Sequence, residues 1–171
     1  MPAVRRSSPS VEDQVRAQLQ LIRTQVPGVR GSLAATSDGL VFAHDVPDLE
    51  PTQIAAISAA TLALASRATL ATGCGSFREA VARGTDGYLA VYAAGDSAIV
   101  AVMGTARLNV GMLQYRAREI IDRIAAFATL NGAWAAPTKA PAPARTPATS
   151  SRSARGANGP ASLPRRRPPT P

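Results

Sequence analysis

The sequence predicts an α+β fold, an α/β sandwich whose five-stranded antiparallel sheet, in chain order α-β-β-α-β-β-β-α, carries helices on both faces. Three observations predict it. Apolar residues recur at helical spacing in three separated segments. The short β-type runs between them meet at turns where Gly stands beside Asp. The middle helical segment carries almost no charge.

The first helix begins after Ser10, a capping residue with Asp13 three positions on. Val11, Val15, Leu19, Ile22 and Val26 then share one face, and Pro27-Gly28 stops the segment. Residues 29–36 and 40–45 read as a hairpin around Ser37-Asp38-Gly39, with Gly supplying the positive φ. On its second strand Leu40 and Phe42 are expected to point one way, Val41 and Ala43 the other.

Pro51 suits the first turn of the second helix and Gly73 its end. Between Pro51 and Phe77 the only charged side chain is Arg67. At a helical period, Ile54, Ile57, Thr61, Leu64 and Ala68 form one stripe, and Ala55, Ala59, Leu62, Ser66 and Leu70 a second, well separated around the cylinder. A helix that buries one face normally shows a charged outer face, so two apolar stripes imply two packed faces. One is expected against its own sheet. The other, assigned to Ala55, Ala59, Leu62, Ser66 and Leu70 together with Phe77, is expected against another molecule, with Arg67 as a candidate partner contact.

Three strands follow at 76–84, 87–93 and 97–103, joined by Thr85-Asp86-Gly87 and Ala94-Gly95-Asp96, which favours a meander. The runs 88–92 and 98–102 are almost continuously apolar, as central strands covered on both sides are. Asn109 caps a third helix carrying Leu113, Ala117, Ile120, Ile124 and Phe127 at helical spacing, and Asn131-Gly132 ends it.

Domain limits come from composition. From residue 133 onward lie nine of the 14 prolines and seven of the 19 basic residues, but none of the 11 acids. Such a segment buries too little apolar surface to offset its backbone entropy, so 133–171 is expected to be a disordered basic tail. Residues 1–9 are expected to be a disordered start, and 10–132 the domain. The formal charge of +8 is therefore a property of the tail, because residues 1–132 hold 12 Arg against 11 acids. The domain offers no basic patch with interleaved aromatics, so nucleic acid or an acidic surface is expected to bind, if at all, nonspecifically through the tail.

No secretory leader and no uninterrupted apolar stretch of spanning length is read from the sequence, which predicts a cytoplasmic protein without a membrane span. The single cysteine, Cys74, cannot form an intramolecular disulfide and is expected to be a small buried or half-buried residue. His44, the only histidine, stands beside Asp45 with no nucleophile motif nearby. Asp38, Asp86 and Asp96 each accompany a turn glycine, where local hydrogen bonding explains them better than a metal. No phosphate-loop motif is present and the domain has no Lys, so no catalytic, cofactor or metal site is assigned.

With these elements in this order, residues 11–131 resemble the roadblock/LC7 family. The resemblance rests on Val26-Pro27-Gly28-Val29 closing the first helix and on residues 31–40, GSLAATSDGL, across the first hairpin. It also rests on Gly87-Tyr88-Leu89 opening the fourth strand and Leu108-Asn109-Val110-Gly111 beginning the last helix. The resemblance implies a profilin-like architecture and a noncatalytic domain. It also implies a homodimer, or a pair with a paralogous roadblock protein, that acts with a Ras-like small GTPase or as a scaffold. In such pairs the second helices pack across a two-fold axis and the third strands join two sheets, which marks residues 75–82 as the edge strand. Abundant Ala and Arg with a single Lys suggest GC-rich coding and hence a bacterial member. Another class stays open beside it, a small-molecule sensor on the related profilin-like or PAS-like plan.

Overall fold

A computed structural model gives the fold, and it describes residues 9–130. The expected tail at 133–171, the helix stop at Asn131-Gly132 and nearly all of the expected disordered start lie outside those residues.

The elements follow the predicted order: α1 (Val11–Gln25), β1 (Val29–Thr36), β2 (Val41–Asp45), α2 (Pro51–Ala71), β3 (Glu79–Arg83), β4 (Gly87–Ala94), β5 (Ala98–Thr105) and α3 (Val110–Leu130). The sheet is antiparallel throughout, in the spatial order β2-β1-β5-β4-β3. The central strand, β5, is buried from Ala98 to Gly104, as its unbroken apolar run requires.

Alternation along β5 divides the core. Ala98, Val100 and Val102 join α1 and α3 on one face, where Leu19, Ile22, Leu113 and Ile124 are fully buried. Ile99 and Ala101 join Leu33, Ala35 and Ala55 of the smaller cluster under α2. The larger cluster supplies most of the hydrophobic stabilisation, at about 1.5–3 kcal/mol for each large side chain fully buried.

Local chemistry sets the helix limits. Ser10 and Asp13 form a reciprocal capping box, with the Asp13 N–H donating to Ser10 Oγ at 3.1 Å and the Ser10 N–H donating to Asp13 at 3.2 Å. Pro51 opens α2, and Asn109 Oδ1 accepts from the Met112 N–H at 2.9 Å at the start of α3.

Two expectations need correction. The register of β1 against β2 slips between Ala34 and Ala35, so Ala43 lies in the α1/α3 cluster while Val41 packs toward α2. A bulge reverses the side-chain alternation that simple period-two spacing gives, so Val41 and Ala43 do not share a face. Cys74, in turn, is exposed in the loop after α2, and Thr72 Oγ1 donates to its sulfur at 3.3 Å.

Three of the quoted sequence motifs meet at one end of the sheet. A Cβ at Gly28 would stand 3.0 Å from Leu108 Cα, and one at Gly104 would stand 2.5 Å from Leu108 Cδ2. A Cβ at Gly87 would collide with the Gly104 carbonyl. Gly28, Gly87 and Leu108 therefore close the domain where α1, β4 and α3 begin or end, which makes their role structural.

Candidate interaction surface

Helix α2 packs against the sheet through small residues. Of its 21 residues only Ala55 and Ser58 are buried, and Ser58 Oγ donates to the Ile54 carbonyl at 2.7 Å. Its opposite side is apolar and open, with Leu64 69% and Ile57 49% exposed among Ala56, Ala60, Ala63 and Ala68. Ala55 and Ala59 on the sheet side, with Ile54 and Leu62 beside them, pack toward β1 and β5, while Ile57 and Leu64 turn outward.

That placement splits both stripes between the sheet and the surface. Ala55 is fully buried, and Ala59 and Leu62 pack with it against Leu33, Ala35, Ile99 and Ala101. They are the intramolecular face, because a sheet made of Leu33, Ile99 and Leu89 on this side must be covered first. Ser66, Leu70 and Phe77, with Leu62, line a shallow hollow of about 260 Å³ at the C-terminal end of α2, and Leu70 is 67% exposed there. From the stripe expected to face the sheet, Ile54 does pack against that cluster, whereas Ile57, Leu64 and Ala68 point outward. Arg67 is exposed on the same outward arc and is in no ion pair among the described residues.

Strand β3 extends this surface. It pairs only with β4, so its outer backbone groups face away from the sheet, and α2 packs against it. The strand begins at Glu79, three residues later than predicted, and Val81 is 37% exposed. Helix α2 also has the length and mean hydropathy of a membrane-crossing helix, by length and composition only. Here it lies along the sheet.

The polar candidates separate from one another. Asp45 is held by Arg23, whose Nε donates at 2.6 Å and whose second guanidinium nitrogen donates at 3.1 Å, while His44 is exposed. Asp38 accepts from Thr36 and Asp86 from Thr85, as turn chemistry predicts. Among the described residues no group of three His, Cys, Asp or Glu could hold a metal ion.

The Roadblock/LC7 domain family model matches residues 17–103. An uncharacterised protein of Methanocaldococcus jannaschii is 28% identical over 113 residues, covering 66% of this chain and 96% of its own length. Among solved structures, a Roadblock/LC7 domain from Streptomyces avermitilis aligns with a TM-score of 0.63 at 20% identity, over 67% of this chain and 97% of that one. The gliding protein mglB from Thermus thermophilus aligns with a TM-score of 0.65 at 18% identity, over 72% and 95%. These structures share the fold.

Proposed function

The chain belongs to the Roadblock/LC7 domain family, and from that premise we propose that it is a noncatalytic cytoplasmic regulator or scaffold, paired with itself or a paralogue, acting with a Ras-like small GTPase. The outward face of α2 supports this reading most strongly. Leu64 and Ile57 stand in water on a helix whose only charge is Arg67, and a contiguous apolar patch of that kind marks an association surface. A second copy related by a two-fold axis covers it with an identical face, and the free edge of β3 lies beside it. Arg67, at the border of the seam, is placed to anchor a partner acid.

The GTPase half is tested by hydrolysis. Single-turnover GTP hydrolysis by a candidate Ras-like small GTPase should change rate when the chain is added, and Arg67→Ala should abolish the change. An unaltered rate together with stable co-purification supports a scaffold. An unaltered rate without co-purification overturns the GTPase reading.

A further inference from the structure

On the face opposite α2, a cleft of about 450 Å³ opens between α3 and the beginning of β3. Tyr92 lines it, is only 4% exposed, and its hydroxyl has no hydrogen-bond partner. A buried hydroxyl without a partner costs roughly 1–3 kcal/mol, so the fold carries an unmet hydrogen bond at this spot. Burial, and next the Glu79 carboxylate on the paired strand, push the Tyr92 phenol up, so it stays protonated and able to donate. Glu79 itself already accepts from Gln114 Nε2 at 2.6 Å.

Besides Glu79, charged side chains exposed to water ring the cleft. Arg78 and Arg118 line it together with Asp96 and Asp122, and none of the four is in an ion pair among the described residues. Where the acid comes first, Arg123 closes on Glu119 at 2.5 Å and Arg16 on Glu12 at 2.6 Å, while Arg118 and Asp122 stand four apart on α3 in the less favourable reverse order. They remain open. Phe77 and Ile121 supply an apolar wall between the charges.

We propose that this cleft binds a small zwitterion of the amino-acid class, its carboxylate meeting Arg78 or Arg118, its ammonium donating to the Tyr92 hydroxyl oxygen beside Glu79 and meeting Asp96 or Asp122, and an apolar side chain lying on Phe77 and Ile121. A plain anion would leave the acids unmatched, and a plain cation the arginines. A cleft of this size suits so small a ligand. The cleft adjoins the hollow at the end of α2, with which it shares Phe77 and Asp96, and its proposed ligand does not rest on dimerisation or on a GTPase.

The test is a thermal-shift and titration-calorimetry screen of the full chain against each proteinogenic amino acid. At least one with an apolar side chain should raise the melting temperature saturably. Its amide and its N-acetyl derivative, each lacking one charge, should bind about tenfold more weakly or worse. Tyr92→Phe and the double change Arg78→Gln with Arg118→Gln should each weaken binding by about the same factor, with Asp96→Asn plus Asp122→Asn as a second variant if the arginine pair fails to fold. Tyr92→Phe without ligand should melt at or above the parent temperature, because it deletes an unpartnered group. The proposal is overturned if no amino acid shifts the melt. It is equally overturned if the amide and N-acetyl forms bind as well as the parent, or if ligand-free Tyr92→Phe melts lower, which would mean the hydroxyl already has a partner.

Discussion

Leu62 and Leu64 stand two positions apart on α2 and face opposite ways: Leu62 packs with Leu33 and Ile99 against the sheet, and Leu64 is 69% exposed. One aspartate scan therefore separates folding from association. Leu64→Asp should leave denaturant unfolding of the isolated subunit within about 0.5 kcal/mol of the parent while halving the mass seen by light scattering. Leu62→Asp should instead cost about 2–4 kcal/mol of folding stability, because it places a charge against an apolar sheet.

The glycine meeting point predicts a large effect from a single methyl group. Gly87→Ala drives a Cβ into the Gly104 carbonyl, which is backbone and cannot step aside. Urea unfolding should show a loss of about 2 kcal/mol or more. An alanine accepted without loss would mean that β4 and β5 can separate at this end.

Arg23 and Asp45 tie α1 to β2 by two hydrogen bonds across the edge of the sheet. The Asp45 side chain is only 12% exposed and that of Arg23 44%, so the pair sits between a surface and a buried bridge. Arg23→Ala should cost about 1 kcal/mol in chemical denaturation, and Arg23→Lys should recover only part of it because an ammonium cannot grip both oxygens.

Acid should loosen the start of α1. The Ser10 hydroxyl, and then its N–H, hold the Asp13 carboxyl below its usual value. The folded state thus releases this proton more readily than the unfolded state. Its stabilisation is present above the ordinary carboxylate range and is lost as pH falls through the lower folded value. Protection factors for hydrogen exchange at the amides of Asp13 and Gln14, taken against the intrinsic rate at each pH, should fall below about pH 4, and Ser10→Ala should remove that pH dependence.

What could be read from the chain follows from how local each signal is. The capping box at Ser10 and Asp13, the cap at Asn109 and the Gly turns act within a few residues, so sequence carries them fully. The apolar run of β5 reveals a central strand because burial on both faces leaves no room for alternation. The two stripes on α2 were also legible, but their assignment was not. Choosing the sheet side needs the knowledge that Leu33, Leu89 and Ile99 lie in one cluster, which places small Ala55 and Ala59 inward and bulky Leu64 outward. The bulge at Ala34 and Ala35 arises from register between strands, and no spacing within one strand encodes it.

The proposed function depends above all on a second copy covering the outward face of α2. Size-exclusion chromatography with light scattering at micromolar concentration tests it most directly. The unmodified chain should elute at twice its chain mass and Leu64→Asp at the chain mass. A parent that runs at a single chain mass across that range would contradict the claim.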